Sequence, residues 1–214
     1  MTQDLNINNK KDLHMISKEI KDKVKNSRQM YLLKTNKKWF NHYFEYITSG
    51  TILHVGNGLG YASSLIKEKN YEIVSVDIEI HPDTINRDDV IIYDGDHLPY
   101  QHESFDVVLC DYVIHHTPNP QKFVTELKRV VKRGGLLIVI EQTHTNFLQR
   151  IRLLYYCRKQ NRQSGQKVTM YWRSYFSRKS IREFFASMGF EMVDIISEQR
   201  KSSFTEMFVL RKID

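Results

Sequence analysis

The chain has 214 residues and a formal net charge of +7, with 41% hydrophobic and 27% charged residues, as expected for one soluble α/β domain with a sizeable core. It contains no apolar run of about 18 residues that would predict a membrane span, and its N-terminus lacks the apolar stretch of a signal peptide. The two cysteines, Cys110 and Cys157, form neither a disulfide framework nor a zinc site, so we expect a cytoplasmic protein without a metal centre.

The first 48 residues are predicted to be helical. Apolar residues recur at steps of three and four between Leu13 and Val24, which is typical of one face of a helix. A second short helix, over 37–47, carries Trp39 and Tyr43 among several aromatic residues. These aromatics either pack against the domain or form the roof of a pocket. We therefore predict an N-terminal helical lid over 1–48 and one domain over 49–214.

From residue 51 onward, strand-like and helical segments alternate. The apolar runs favour strands at 51–55, 72–78, 89–93, 105–110 and 136–141. Helices are predicted from Tyr61 to Lys69 and from about Pro120 to Lys132, the latter with Pro near its start and Gly134-Gly135 after its end. Nearly continuous apolar strands that alternate with helices indicate a parallel sheet covered on both faces.

The C-terminal part is predicted to contain one helix and two strands. Ser177 can cap the helix, Ser180 and Glu183 have the spacing of a capping box, and Gly189 suits a left-handed helix stop. The strand-like runs 191–199 and 204–212 are joined by a short polar turn, which favours an antiparallel hairpin.

The segment 142–176 resembles an insertion, and the stretch from Gln142 to Arg182 that includes it is strongly basic. No Asp or Glu occurs from Gln142 to Arg182, whereas ten Lys or Arg residues do, so the positive charge is concentrated on one surface. Aromatic residues alternate with these cations. A segment of this length between regular elements is often functional.

A glycine-rich loop follows the first strand directly. Residues 51–60 read TILHVGNGLG, with Gly56, Gly58 and Gly60 at alternate positions and a helical segment behind them. Strand, glycine loop and helix in this order let the backbone approach a nucleotide-like ligand closely, because glycine has no Cβ to block either the turn or the ligand.

From about Thr51 to Lys212 the chain resembles the class I S-adenosylmethionine (SAM)-dependent methyltransferases, in particular the type 11 subgroup. The segments that carry the resemblance are ILHVGNGLG, IVSVDI, DGDHLPYQHESFDVVLCDYVIHHTPNP and LKRVVKRGGLLIVIE. The resemblance implies an α/β fold with a Rossmann-like seven-stranded sheet, mostly parallel, that ends in an antiparallel hairpin. It also implies SAM as the methyl donor and S-adenosylhomocysteine as the product.

The resemblance further implies roles for individual residues around the cofactor. Asp77, at the end of the second strand, would bind the ribose diol, and Ile78 would rest on the adenine face. Asp94 would accept from the adenine amine and the Gly95 amide would face the ring, a role that Asp96 and His97 could share in a shifted alignment. The methionine end of SAM would lie over the loop and the end of the fourth strand. These last contacts would come from Gly56, Asn57, Gly58, Gly60, Asp111 and Tyr112.

His54 departs from the family pattern, since most relatives carry an acid there that helps to hold the SAM ammonium. A neutral imidazole can accept a hydrogen bond, but a charged one would repel the ammonium. Three interpretations stay open: a second acid such as Asp111 supplies the charge, SAM binds weakly, or the fold is degenerate and serves binding or a non-methylating reaction.

Methyl transfer from a sulfonium mainly requires alignment of the nucleophile, and a general base is needed only for a protonated acceptor. The candidate bases are His115 and His116, which follow the fourth strand, and His144, which follows the fifth. The same histidines could instead only shape their loops.

Acceptor selection is expected to lie with the N-terminal helices and the 142–176 segment. A small-molecule acceptor is the favoured partner, for an O-, N- or C-directed transfer. RNA or a lipid or quinone-like acceptor are alternatives, but nucleic acid is not expected because no RNA-binding module is recognisable. FLQRIRLLYY joins apolar and cationic residues, so peripheral membrane contact stays open. The chain is expected to be a monomer or a homodimer.

Overall fold

A computed structural model describes Leu33, Trp39 and residues 41–164, 169–199 and 204–213, with the side chains of 160–164 and 199 left aside. Most of the predicted N-terminal helical lid, including the periodic segment from Leu13 to Val24, lies outside the described residues. Its last part is a helix over 41–46, here called α1.

Seven strands form one sheet in the order β3-β2-β1-β4-β5-β7-β6. The strands are β1 (Ile52–Val55), β2 (Ile73–Asp77), β3 (Val90–Ile92), β4 (Phe105–Asp111), β5 (Val131–Thr143), β6 (Phe190–Gln199) and β7 (Phe204–Lys212). The further α-helices are α2 (Tyr61–Glu68), α3 (Pro120–Val130), α4 (Phe147–Ser164) and α5 (Arg178–Ser187). Short 3₁₀ turns occupy Arg87–Asp89, Ile114–His116 and Trp172–Ser174.

The first five strands run parallel, and β7 is inserted antiparallel between β5 and β6. This confirms the predicted fold: a mostly parallel α/β sheet with an antiparallel C-terminal hairpin. The alternation of apolar strands and helices made it predictable, because each helix covers a face of the sheet.

The core lies in two layers, one on each face of the sheet. On one face, Phe123 and Leu127 of α3 and Phe185 of α5 pack against the sheet. On the other face, Tyr43 of α1 and Leu65 of α2 pack against the strand residues whose side chains point to that face, such as Ile52 and Leu109. The aromatic residues of the N-terminal region that the structure describes are therefore part of the core.

The boundary between α3 and β5 differs from the prediction. The helix ends at Val130, and Val131 already pairs with Phe105 of β4, while the next pair is Val107 with Leu136. The Gly134-Gly135 pair thus lies in an irregularity of β5 and does not stop a helix. A Cβ on Gly135 would lie 2.8 Å from the carbonyl oxygen of Asp106, so the close approach of β4 requires glycine at this position.

The cap of α5 also differs from the prediction. The capping box joins Ser177 and Ser180: the Ser177 hydroxyl accepts from the Ser180 amide at 3.0 Å, and the Ser180 hydroxyl accepts from the Ser177 amide at 2.9 Å. The predicted pair of Ser180 and Glu183 was wrong because Ser177, not Ser180, is the residue before the helix. A serine can replace the usual Glu at the third position since its hydroxyl reaches the same amide.

Candidate active site

The carboxyl ends of β1, β2 and β4 meet at one edge of the sheet. Their registers align His54 of β1 with Ser75 of β2 and Leu109 of β4. The glycine loop after β1, Asp77 at the end of β2 and Asp111 at the end of β4 consequently lie along one edge, where ligands of open α/β sheets bind.

The three glycines of the loop have left-handed φ angles but different surroundings. A Cβ on Gly56 would lie 2.3 Å from a methyl of Val113, and one on Gly60 would lie 1.8 Å from the amide oxygen of Asn86. A Cβ on Gly58, by contrast, would meet no described atom within 4 Å. Gly56 and Gly60 are therefore required by the fold of the protein, whereas Gly58 leaves its backbone open to an approaching molecule.

Asn57 belongs to the scaffold of this loop. Its side-chain oxygen accepts from the Ser63 hydroxyl at 2.7 Å, and its amide nitrogen donates to Asn86 at 3.2 Å. Because Asn57 is 5% exposed and both ends of its side chain are engaged within the protein, these contacts fix the loop against the first turn of α2.

The Asp77 carboxylate is positioned by the loop that it faces. One oxygen accepts from the Gly58 amide and the other from the Ile78 amide, each at 2.8 Å. Burial raises the pKa of Asp77, and these backbone hydrogen bonds partly offset the effect. Ile78 beside it is 57% exposed, so an apolar surface and a carboxylate stand next to each other.

The turn after β3 is organised by Asp94. One carboxylate oxygen accepts from the amides of Asp96 and His97, at 2.8 and 2.6 Å, and the other lies 3.1 Å from His97 Nδ1. These hydrogen bonds lower the pKa of Asp94 to about 2. Asp96 pairs with Lys122 at 2.8 Å. A Cβ on Gly95 would lie 3.2 Å from Ile78, so this turn and the end of β2 are in contact.

His54, Asp111 and Tyr43 form a buried polar cluster at the ends of β1 and β4. His54 Nε2 lies 3.5 Å from Asp111 Oδ2, and the two side chains are 2% and 7% exposed. The Tyr43 hydroxyl of α1 donates to the same oxygen at 2.7 Å, while burial and then Asp111 raise the pKa of Tyr43. Asp111 Oδ1 and both His54 nitrogens are buried without a hydrogen-bond partner among the described residues, whereas buried polar atoms in proteins normally have one.

Tyr112, the next residue, has a left-handed φ of 59°. Its amide donates to the Ile140 carbonyl oxygen at 2.7 Å. A left-handed conformation is uncommon for an aromatic residue and marks a strained turn. The chain therefore turns sharply at the end of β4, just before the histidine pair.

His115 forms a buried pair with Glu141 of β5. Its Nδ1 lies 2.6 Å from Glu141 Oε1, and its backbone amide donates to Oε2 at 3.0 Å. A carboxylate oxygen accepts from a ring N–H, so this hydrogen bond places a proton on Nδ1. Glu141 is 1% exposed. The sequence analysis did not assign it to the site, and its position at the end of β5, beside the histidines after β4, was the available signal.

His116 is oriented by a different part of the chain. Its Nδ1 lies 3.0 Å from the Thr169 carbonyl oxygen, so it donates there. Burial and the neighbouring His115 lower the pKa of His116 to about 4, which keeps the ring neutral at physiological pH. The two histidine rings have centroids 4.0 Å apart, and the structure brings both predicted bases together.

His144 stands apart from this pair. Its Nε2 lies 3.3 Å from the Tyr175 carbonyl oxygen, and its own backbone forms an isolated β-bridge with Ser177, the residue before α5. Burial lowers the pKa of His144. The contacts that fix this ring belong to the junction between β5 and α5, and among the described residues no hydrogen bond joins it to His115 or His116.

A cleft of about 340 Å³ opens between α4 and the segment 169–174. That segment contacts the turn 114–117, here called the histidine turn. The Tyr171 amide donates to the His115 carbonyl oxygen at 3.4 Å, and the Ser174 hydroxyl donates to the Thr117 carbonyl oxygen at 2.6 Å. The segment 169–174 therefore contributes both to the cleft and to the contacts with the turn that carries the histidine pair. The cleft is lined by Ile151, Leu154, Tyr155, Arg158, Met170 and Trp172.

The described residues contain neither a cluster suited to a metal ion nor a helix suited to cross a membrane. No group of three or more His, Cys, Asp or Glu side chains in this part of the chain has an arrangement that could hold a metal ion. None of the described helices is both long enough and apolar enough to cross a membrane.

Comparison with known proteins shows that part of the chain is similar to methyltransferases. Residues 53–139 match the family model described as a methyltransferase domain. A demethylmenaquinone methyltransferase from Renibacterium salmoninarum is 30% identical over 105 residues, which are 45% of this chain and 43% of that protein. The matched part spans less than half the length of the curated relatives.

Solved structures share the fold at low sequence identity. A protein from Pyrococcus horikoshii OT3 superposes with a TM-score of 0.64 at 18% identity, over 88% of this chain and 93% of that one. The Burkholderia thailandensis 1,6-didemethyltoxoflavin-N1-methyltransferase, solved with 1,6-didemethyltoxoflavin and S-adenosylhomocysteine, superposes with a TM-score of 0.60 at 12% identity, over 85% and 78%.

Proposed function

We propose that this chain, of which residues 53–139 match a methyltransferase domain, transfers a methyl group from SAM to an O, N or C nucleophile of a small-molecule acceptor. The observation that carries this proposal is the free space beside the Gly58 backbone, where a Cβ would meet no described atom within 4 Å. The amide of the same residue donates to the Asp77 carboxylate. A nucleotide-like ligand needs this combination of exposed loop backbone and adjacent acid.

The residues at the sheet edge suit the chemical groups of SAM. Asp77 would accept from the ribose hydroxyls, and the exposed Ile78 would cover one face of the adenine. The turn of Asp94 and Gly95 would face the adenine edge, with Asp96 and His97 behind it. S-adenosylhomocysteine, the product, would occupy the same contacts without the transferred methyl group.

The amino-acid end of SAM would bind at the His54, Asp111 and Tyr43 cluster. Asp111 has one oxygen without a described partner, and it lies within 3.5 Å of His54. We therefore favour the first of the three interpretations of His54: the acid has moved from β1 to the adjacent β4. A buried carboxylate is a strong partner for an ammonium group because few water molecules screen the pair.

SAM, when bound, supplies a methyl group that its sulfonium already activates. The protein then needs to align the acceptor and, for a phenol or amine, to remove a proton. His115 is suited to that task because Glu141 holds its proton on Nδ1, which directs the basic Nε2 away from the carboxylate. Neutral His116 next to it can accept a hydrogen bond from the acceptor.

The acceptor would enter the cleft between α4 and the segment 169–174. Its apolar and aromatic lining, with Arg158 as the cation, suits a planar or lipophilic molecule that carries an acidic or phenolic group. Two similar proteins support an acceptor of this kind, since one is a demethylmenaquinone methyltransferase and the other was solved with 1,6-didemethyltoxoflavin.

The domain organisation is part of this proposal. We propose that residues 1–48 cover the cofactor site as a helical lid, that 49–214 form the methyltransferase domain, and that 142–176 select the acceptor. Support comes from Tyr43, which reaches Asp111 from α1, and from the contacts of 169–174 with the histidine turn.

Cofactor binding can be tested at Gly58. We expect Gly58→Asn to lower the affinity for SAM and S-adenosylhomocysteine at least about tenfold, or about 1.4 kcal/mol, in isothermal titration calorimetry. Asparagine tolerates the left-handed backbone, so its side chain would fill the approach without distorting the loop.

Gly134→Asn is the matched control. Gly134 also has a left-handed φ, and a Cβ there would also meet no described atom within 4 Å, but it lies in the irregular start of β5. This variant is expected to bind SAM as the wild type does. If the wild-type protein binds neither ligand, or if Gly58→Asn binds both unchanged, the proposed cofactor site is wrong.

A further inference from the structure

Helix α4 presents large apolar side chains to solvent. Phe147, Leu148, Ile151 and Tyr155 are 67%, 56%, 44% and 72% exposed. On the other side of the same helix, Leu153 and Cys157 are buried against Tyr175. The helix is therefore apolar on two sides, and the described part of the chain covers only one of them.

The exposed residues lie on one face. With about 100° per residue in an α-helix, Phe147, Leu148, Ile151 and Tyr155 fall within an arc of about 100°, roughly opposite Leu153 and Cys157. This is the width of the apolar stripe with which a helix normally packs against a core. Single exposed apolar residues need no explanation, but a contiguous patch usually marks an interaction surface.

Trp172, from the segment 169–174, extends this surface beyond the helix. It is 44% exposed, and its ring centroid lies 6.2 Å from that of Phe147. The Arg150 guanidinium stacks over the Trp172 ring at 4.0 Å, which fixes the indole. We call Phe147, Leu148, Ile151, Tyr155 and Trp172 together the outer face.

Cations surround the outer face. Arg152, Arg158 and Lys159 of α4 are exposed, and no ion pair joins any of them to a carboxylate of the described residues. The sequence from Gln142 to Arg182 has no acidic residue that could neutralise these cations. A partner that matches this surface is therefore apolar where it contacts the outer face and negatively charged around it.

We propose that the outer face docks on the surface of an anionic lipid bilayer. Aromatic and aliphatic side chains would insert at the boundary between headgroups and acyl chains, while Arg152, Arg158 and Lys159 would contact lipid phosphates. The N-terminal 32 residues are a poorer occupant, because they carry seven Lys or Arg and only four Asp or Glu and would repel the same cations.

A nucleic acid fits the outer face less well. Base stacking uses aromatic rings, but Leu148 and Ile151 offer none and Arg150 already covers one face of the Trp172 ring. Aliphatic residues at the centre of a basic surface are, by contrast, typical of helices that lie in a membrane interface.

Docking would also orient the cleft. Ile151, Tyr155 and Trp172 belong both to the outer face and to the lining of the cleft, so the cleft would open toward the bilayer. A lipophilic acceptor could then reach it without crossing water. The docking itself does not depend on the proposed function, since it requires neither cofactor nor acceptor.

Vesicle flotation tests the proposal with the full chain and no added cofactor. We expect binding to vesicles of phosphatidylcholine and phosphatidylglycerol, little binding to phosphatidylcholine alone, and weaker binding at high salt. Phe147→Ser/Leu148→Ser and Arg152→Gln/Lys159→Gln should each lower the bound fraction at least about fivefold. None of these four residues lines the cleft.

Two control variants carry the same chemical changes at other surfaces. Val193→Ser/Ile213→Ser removes two exposed apolar side chains, and Lys69→Gln/Arg133→Gln removes two exposed cations. Both should bind vesicles as the wild type does. The proposal is overturned if the wild type does not float with anionic vesicles, if the controls lose as much binding as the α4 variants, or if the α4 variants lose binding to single-stranded RNA but not to vesicles.

Discussion

At the scale of single residues, the unusual feature of this site is His54, an imidazole on β1 that faces Asp111 on the neighbouring strand β4. The resemblance to the methyltransferases predicts an acid at the position of His54, and Asp111 Oδ2 lies 3.5 Å from His54 Nε2. Adjacent parallel strands end side by side, so a carboxylate on either strand can serve the same volume. The proposed ammonium contact is thus retained although the residue on β1 has changed.

This arrangement predicts that substitutions of Asp111 and Tyr43 lower the affinity for SAM by different amounts. Asp111→Asn should weaken SAM binding at least about tenfold, because the ammonium loses its counter-charge. Tyr43→Phe removes one hydrogen bond but keeps the charge, and it should weaken binding only about threefold. Calorimetric titration with SAM measures both changes.

Asp88→Asn is the appropriate control for the loss of a negative charge. Asp88 is exposed in the 3₁₀ turn that precedes β3, and its substitution should leave the affinity unchanged. Wild-type affinity in Asp111→Asn would mean that the acid has not moved to β4 and that SAM, if bound, is held in another way.

Residue-level prediction from the sequence was most direct where a side chain ends or follows a strand. Asp77 and Asp111 could be proposed because a strand end fixes where its next side chain stands. Glu141 and Tyr43 could not, since their importance depends on contacts with residues 26 and 68 positions away. Sequence spacing carries no information about such long-range pairs.

At the scale of elements, the His115–Glu141 pair joins the turn after β4 to the end of β5. Because β4 and β5 are parallel neighbours, with Asp111 opposite Ile140, the pair forms where the two strands leave the sheet. A buried hydrogen-bonded pair of this kind orients a base more than it stabilises the fold.

Glu141→Gln should therefore separate catalysis from cofactor binding. With an acceptor identified by a SAM turnover screen, we expect kcat to fall at least about tenfold, because His115 loses the carboxylate that fixes its tautomer. The affinity for SAM should stay within about twofold. Steady-state kinetics and calorimetry on the same preparation provide the measurement.

His144→Asn supplies the comparison at the end of the same strand. Its ring contacts the junction with α5, so kcat should change less than about threefold. Equal losses in the two variants would argue that the end of β5 matters only for folding.

Element boundaries were less predictable than element types. The extended start of β5 was missed because Lys132 to Gly135 look like the end of a helix, and only the contact of Gly135 with the Asp106 backbone explains the glycine. Tertiary contacts decide such junctions, while the periodic interiors of α3 and β4 follow from their own sequences.

At the scale of the whole molecule, buried neutral histidines make stability depend on pH. The pKa of His116 is lowered to about 4 in the folded protein, whereas an unfolded histidine titrates near 6.5. The unfolded chain therefore binds more protons between these values, and the free energy of unfolding decreases as the pH falls from about 6.5 to about 4. His144, whose pKa is also lowered, acts in the same direction.

His116→Gln should reduce this pH dependence. The free energy of unfolding of the wild type is expected to fall more steeply between pH 7.5 and pH 5 than that of the variant, by roughly 1–2 kcal/mol. Urea unfolding at the two pH values gives the difference directly. The glutamine keeps a donor for the Thr169 carbonyl oxygen but has no proton to gain.

His102→Gln, at an exposed position, should preserve the wild-type pH dependence. If His116→Gln and the wild type show parallel curves, the ring of His116 is not held neutral by its surroundings, and its place beside His115 needs another explanation.

The fold as a whole was the most predictable level. Alternating apolar strands and helices leave few ways to cover a parallel sheet, and the close C-terminal runs can pair only as a hairpin. The insertion of β7 between β5 and β6 was not predicted, because strand order is not encoded in the periodicity of any single strand.

The hydrogen bond from Tyr43 to Asp111 has a thermodynamic consequence for the N-terminal region. If the hydrogen bond from Tyr43 strengthens the binding of an ammonium group to Asp111, the two events are coupled. By reciprocity, the bound ammonium then stabilises the packing of α1 on the domain by the same free energy. The amides of 41–46 should then exchange with solvent more slowly in the liganded protein. The helix that precedes the matched domain would in this way report whether the site behind it is filled.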